Sequence, residues 1–193
     1  MAIPVMEKPR VPPQAVWFRL LYERHFDFVW RSLRHLGVRG ADLSDASQEV
    51  FIVLYRCFGS FEGRGKVTTW LFKICFNVAR NRRRLAHVRN EFPSEDAALE
   101  RGSGRTLDPF AEAKRQEKLA LFEAALAAMP IEQRAAFILF EIEGMTGPEA
   151  SAALGVPLGT AYARLRLARI VFRDTVARAN EQTHTRIRRG GKL

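Results

Sequence analysis

The stretch TGPEASAALGVPLGTAYARLRLARIVFR, residues Thr146 to Arg173, decides how the chain is read. Thr146 and Glu149 have the spacing of a capping box, in which each side chain satisfies an N–H at the other end of the first turn. A helix therefore starts there. Gly155 ends it about two turns later, Val156-Pro157-Leu158-Gly159 makes a tight connection, and a second helix starts near Thr160. A short helix, a Gly-containing turn and a longer basic helix outline a helix-turn-helix.

The second helix has two distinct faces. At about 100° per residue, Ala161, Leu165, Ala168 and Phe172 share one narrow apolar face, which can pack on the preceding helix. Tyr162, Arg166, Arg169 and Arg173 share another, roughly 90° away. The flat guanidinium fork suits phosphate oxygens and guanine edges because it can donate two bonds at once. The plain alternative is a solvated charged face. Such a face normally intersperses acids, and only Asp174 lies close.

Outward from that stretch, the totals bound the problem. The chain has 193 residues, a net charge of +10 and a pI near 10.4, which favours a polyanionic partner, nucleic acid before membrane. Apolar residues make up 47%, too many for a disordered chain. No apolar run approaches the ~18 residues of a membrane span, so membrane insertion is not expected. The first residues lack the charged-then-apolar order of a signal peptide. Cys57 and Cys75 sit within apolar helical patterns and read as buried thiols of a reducing, cytoplasmic setting. The single histidines His25 and His35 have no partner at ligand spacing, so no metal or other cofactor is expected.

In chain order, residues Met1 to Pro13 hold four prolines and read as a loose arm. Gln14 to Leu36 reads as one long helix with Trp17, Leu20, Leu21, Phe28 and Leu36 on its buried side, broken by Gly37 and Gly40. The next helix runs from about Asp42 to Phe58, with Ala46, Val50, Leu54 and Cys57 as its apolar face. Its opposite face holds Asp45, Gln48, Glu49 and Arg56 around Ile52. A lone exposed isoleucine is ordinary; an apolar centre with a polar rim is also what a partner surface looks like.

A Gly-rich loop, GSFEGRGKV from Gly59 to Val67, leads to a third helix from Thr68 to about Leu85. Trp70, Leu71, Ile74 and Val78 form its apolar face. Lys73, Asn77, Arg80 and Arg84 recur at i, i+4, i+7 and i+11 on another, with Phe61, Trp70 and Phe76 nearby. Cations that track a backbone beside rings that stack on unpaired bases, at ~1–3 kcal/mol each, are what a single strand needs. Core packing is the other reading of Phe61 and Trp70. Ala86 to Asp108 lacks periodicity and reads as a flexible linker. A helix over 110–129 carries Leu119, Phe122, Leu126 and Met129, and a helix from Ile131 to Glu143 packs beneath the helix-turn-helix. After Phe172 the pattern fades into a basic tail with Arg186, Arg188, Arg189 and Lys192, read as a mobile polycation.

Two all-helical modules with a basic stripe each resemble a bacterial RNA polymerase sigma factor of the two-domain extracytoplasmic-function type. The resemblance covers about Phe18 to Arg84 and Phe110 to Val176. In the first module it rests on Asp42, Asp45, Gln48, Glu49, Val50 and Phe51, then Phe61, Thr69-Trp70-Leu71-Phe72-Lys73-Ile74 and Asn77. In the second it rests on Met129-Pro130, Gln133-Arg134, Phe137, Glu141, Glu143-Gly144-Met145-Thr146, Glu149-Ala150, Leu154-Gly155-Val156-Pro157, Gly159-Thr160, Arg164-Leu165 and Ala168-Arg169.

The resemblance implies an all-α fold of two small helical domains joined by a flexible linker. Residues 14–85 would be the first domain, 86–109 the linker, 110–177 the helix-turn-helix domain and 178–193 a basic tail. It implies that Asp45, Gln48, Glu49 and Ile52 dock on the β′ clamp helices of core RNA polymerase. It implies that Phe61, Arg64, Lys66, Trp70, Lys73, Asn77, Arg80 and Arg84 hold the melted minus-ten strand. Thr160, Tyr162, Arg164, Arg166, Arg169 and Arg173 would read the minus-thirty-five duplex of promoter DNA, in a domain that also meets the β flap. An anti-sigma factor is a further expected partner. Tyr162 stands where the family commonly has a cation, Ala163 where it has a hydroxyl, and Asn81 where it has an aspartate. Leu167, Ile170 and Val171 lie off the packing face.

The expected function is therefore promoter-specific transcription initiation without catalysis. The rival is an autonomous helix-turn-helix regulator, which would leave the aromatic and basic third helix unexplained. An enzyme acting on nucleic acid is disfavoured because no carboxylate cluster, Cys/His spacing or nucleophile–base pair accompanies the basic stripes.

Overall fold

A computed structural model describes residues 14–57, 66–88 and 109–190, and these are all helix and short connections. The first domain contains α1 (Gln14–His35), α2 (Ala41–Arg56) and α3 (Val67–Val88), each packed on the other two. Helical spacing puts Leu21, Phe28, Val29 and Leu33 of α1 inward. Leu43, Ala46, Val50 and Leu54 of α2 and Leu71, Ile74, Cys75 and Val78 of α3 meet them. Ser47 is buried on the same face and donates its hydroxyl to the Leu43 carbonyl at 2.8 Å, which satisfies it.

The second domain contains α4 (Pro109–Ala127), α5 (Ile131–Phe137), α6 (Gly147–Leu154) and α7 (Leu158–Gly190). Proline opens α4 at its first position, where a missing N–H costs nothing. Leu126, Met129, Phe137 and Ala168 form a compact cluster with Phe122, Val171 and Phe172 packed on it; the Phe137 and Phe172 rings stack at 5.0 Å. Val171, off the packing face drawn from sequence, is thereby accounted for.

Four expectations about helix limits and burial are corrected here. The helix expected over Ile131 to Glu143 is α only to Phe137; Ile138–Ile142 is a π-helical turn, with the Glu143 N–H donating to the Ile138 carbonyl at 2.9 Å. Ile138 and Leu139 within it are buried, continuing the buried run Arg134 to Phe137 of α5. Second, α7 does not fade after Phe172 but runs to Gly190, because no proline or glycine interrupts 173–189. Third, Leu20 faces outward, 58% exposed. Fourth, Cys57 caps the exposed end of α2, and only Cys75 is buried. The arm 1–13, Phe61, Arg64 and most of the linker lie outside the described residues.

The two domains share one core. A single apolar cluster runs from Leu21 of α1 to Leu165 of α7 and includes Ile131, Ala135, Met145, Ala150 and Leu154. Arg134 is buried where the domains meet. Its guanidinium donates to the carbonyls of Ala127 (2.9 Å) and Met129 (3.3 Å) at the end of α4, and to that of Leu36 (3.2 Å) at the end of α1. Two helix C-termini, each carrying partial negative charge, thus stand in for a carboxylate partner. Gly37, at φ +98°, leaves room for the guanidinium; a side chain there would strike Arg134 Nη1.

Candidate nucleic-acid and partner interfaces

Each predicted stripe is on the surface of its helix. On α3, Lys73, Asn77, Arg80 and Arg84 are exposed, with Lys66 at the helix start. Trp70 is partly buried and packs against the core. Phe76, read from sequence as a flanking aromatic platform, is instead buried, and Arg80 lies over its ring at 5.6 Å. That contact holds a guanidinium in place on the stripe.

On α2, Asp45 and Gln48 are exposed and Ile52 is 51% exposed, so the polar face with an apolar centre exists. Glu49 is different: it accepts from Nε (3.2 Å) and Nη2 (3.1 Å) of Arg82. Arg82 also lies 3.8 Å from Asp42. Arg82 therefore turns from the α3 stripe to α2 and orients the acidic face, a role sequence reading missed. Its only signal was its position off the i, i+4, i+7 rhythm. Beside Ile52 lies an aromatic group that was also missed. Tyr55 meets the Phe18 ring edge-on at 5.3 Å, and Tyr22 packs 4.6 Å from Phe51; both tyrosines remain over 40% exposed.

The helix-turn-helix forms as its local signals dictate. The Thr146 backbone N–H (2.8 Å) and hydroxyl (2.9 Å) both donate to the Glu149 carboxylate, and Gly155 caps α6 in the left-handed region at φ 65°. The backbone N–H first, then Lys66 and the Thr146 hydroxyl, hold the Glu149 carboxyl down at about 2. Ala161, Leu165 and Ala168 of α7 are buried, as the periodicity requires. Thr160, Tyr162, Arg166, Arg169 and Arg173 are exposed and Arg164 partly so.

Two of these side chains are positioned by neighbours. Tyr162 packs at 5.4 Å on Phe140, and its phenol end crosses Gly147, where a Cβ would clash with it. Arg169 forks onto Glu141, at 2.8 Å through Nε. Phe137, Ile170 and Phe172 line an open cleft of about 600 Å³ with Glu141, Arg166, Arg169 and Arg173. The arginine row thus has an apolar floor, and exposed Ile170 belongs to it. Among the described residues no His, Cys, Asp or Glu group could hold a metal. No helix among them is long and apolar enough to cross a membrane.

Comparison with known proteins follows this division. The model of Sigma-70 region 2 matches residues 21–87, and that of Sigma-70 region 4 matches residues 119–170. The ECF RNA polymerase sigma factor SigM of Mycobacterium tuberculosis is 31% identical over 160 residues, which are 80% of this chain and 76% of that protein. The chain belongs to the ECF RNA polymerase sigma factors.

Other relatives agree. SigE of Mycolicibacterium smegmatis is 33% identical over 169 residues, 84% of this chain; the match spans only 63% of that longer relative. The sigma-E factor of Escherichia coli is 31% identical over 159 residues, 79% of this chain and 82% of its own length. Among solved structures, the sigma factor RpoE of Bartonella quintana, in complex with the anti-sigma factor NepR, superposes with a TM-score of 0.65 at 22% identity. That match covers 83% of this chain and 96% of RpoE. CnrH, in complex with the cytosolic domain of CnrY, gives 0.62 at 24% identity, covering 86% and 90%. These two show the fold. Family membership places the sigma factor in transcription initiation.

Proposed function

We propose that this sigma factor directs core RNA polymerase to promoters with a minus-thirty-five and a minus-ten element. Asp45, Gln48, Glu49 and Ile52 would dock on the β′ clamp helices, with Arg82 setting the Glu49 carboxylate. Lys66, Trp70, Lys73, Asn77, Arg80 and Arg84, with Phe61 and Arg64 of the preceding loop, would hold the melted minus-ten strand. Thr160, Tyr162, Arg164, Arg166, Arg169 and Arg173 would read the upstream duplex. The second domain would also meet the β flap, and the protein would work in the cytoplasm, where the polymerase is. An anti-sigma factor is a fitting regulator, as CnrH and RpoE are each found with a protein partner. The observation that carries the reading is the pair of exposed cationic faces on α3 and α7, one beside an aromatic edge and one on a helix-turn-helix. Those are the chemistries for a single strand and for a duplex groove.

The test is transcription in vitro with bacterial core polymerase and a template carrying the upstream region of this protein's own gene. A discrete transcript is expected that disappears when Gln48→Glu and Ile52→Asp are combined. Firm duplex binding by the protein alone, with no core binding at low salt, would instead identify an autonomous regulator.

A further inference from the structure

Leu167 of α7 is 43% exposed and belongs neither to the apolar clusters nor to the cleft beside the arginine row. Ala163, one turn earlier on the same ridge of the helix, is exposed too. Buried Ala161, Leu165 and Ala168 define the packing face of α7. At about 100° per residue, Ala163 and Leu167 lie roughly opposite that face. They are therefore among the outermost side chains of the second helix of the helix-turn-helix, the part that enters a major groove.

The flanks of this ridge are cationic. Arg166 lies on one side of it and Arg164 on the other, and no acidic residue stands between Leu158 and Arg173. Tyr162 is turned aside, onto Phe140 and across Gly147. A lone exposed leucine is ordinary surface, and a protein partner could accept one. Cations on both sides, with no acid among them, favour a polyanion instead.

A helix drawn into the groove by those cations brings an apolar ridge to the base edges. Leucine and alanine side chains offer no partner to the acceptors of guanine, the amine of cytosine or the mixed edge of adenine. Thymine presents a methyl group there, and no other base does. A polar edge held against the ridge would lose its water without replacement. The ridge thus favours thymine by contact and disfavours the other bases by desolvation. Four residues advance a helix by roughly 6 Å, less than two base steps of roughly 3.4 Å, so both side chains can meet neighbouring bases.

We propose that Ala163 and Leu167 are specificity-determining residues of the upstream element, and that they read the methyl groups of thymines at one position or at two neighbouring positions. This contact rests on the promoter reading above, which gives α7 a duplex but no particular base.

The experiment uses the full chain with core polymerase and promoter duplexes randomised over both elements and selected for transcription. The wild type should select thymine at one upstream position or at two neighbouring ones. Leu167→Ala should lose the preference at a single position and keep the rest of the selected sequence; Ala163→Ser should alter only the neighbouring position. On the selected duplex, deoxyuridine in place of that thymine removes only the methyl group. It should weaken binding of the wild-type holoenzyme about fourfold, the worth of one buried methyl group, and leave Leu167→Ala unaffected. A wild type indifferent to uracil, or an equal loss in both proteins, would overturn the contact. Leu167→Ala that weakens core binding while selecting the same sequence would assign Leu167 to a protein partner and overturn it as well. A selected upstream element without thymine preference would count against the contact alone, whereas no selected sequence at all would overturn the promoter reading and the contact with it.

Discussion

Replacing Arg134 by methionine tests whether one guanidinium caps two helices. The side chain is 5% exposed and makes three hydrogen bonds to carbonyls, two at the end of α4 and one at the end of α1. Charge-assisted bonds contribute about 1.5–3 kcal/mol each, so the three sum to about 4–9 kcal/mol. Against this stands the cost of burying the charge. Desolvation, with Arg83 and Arg39 nearby, lowers the Arg134 pKa from its ordinary value to about 10, equivalent to about 3 kcal/mol. The net loss for Arg134→Met is therefore about 1–6 kcal/mol, with ~3 kcal/mol the central expectation. Urea unfolding followed by helicity would measure it. The lysine variant should recover less than half, because an ammonium on a single stem cannot fork to both helix ends. Gly37→Ala supplies the control. It costs roughly 1–2 kcal/mol for the left-handed backbone in any background, plus a clash with Nη1 only when Arg134 is present. Strict additivity of Gly37→Ala and Arg134→Met would refute the idea that the guanidinium sits against Gly37. A midpoint unchanged in Arg134→Met would refute the cap itself.

Arg166→Ala is expected to weaken upstream duplex binding by ~1–3 kcal/mol if its fork meets a base edge, and by a uniform, salt-dependent amount if it meets phosphate. Promoter use that is unchanged in this variant would remove α7's arginine row from the DNA face. His35 predicts a pH dependence of domain docking. Burial, then Arg34 and Arg31, lower its pKa from 6.5 to about 4; it faces the Phe122 ring of α4, and Glu123 on α4 pairs with Arg34. The docked state favours the neutral ring. Its contribution is thus fully present above pH 6.5 and lost as pH falls from 6.5 toward 4. Energy transfer between dyes on Cys57 and on Ala152→Cys of α6 should fall over that window, and His35→Gln should flatten the fall. An identical profile in the glutamine variant would place the titrating group elsewhere.

Much of this protein is written in interactions of short range. The capping box of Thr146 and Glu149, the left-handed Gly155 and the apolar rhythm of Ala161, Leu165 and Ala168 each depend on residues within about one to three turns. Sequence alone therefore determined that these helices exist, the helix-turn-helix and most of the exposed rows on α2, α3 and α7, but not where the helix after Met129 widens or where α7 ends. What it could not determine depends on side chains brought together from far along the chain. Arg134 reaches Leu36 across 98 residues, Arg82 reaches Glu49 across 33, and Arg169 reaches Glu141 across 28. No periodicity encodes which of two arginines on one helix turns to a neighbour and which stays in solvent. The π turn at Ile138–Ile142 and the burial of Phe76 were illegible for the same reason: each is set by which surface packs opposite. The docking of one domain on the other was decided by tertiary structure alone, through a core and a set of ion pairs whose members come from different domains.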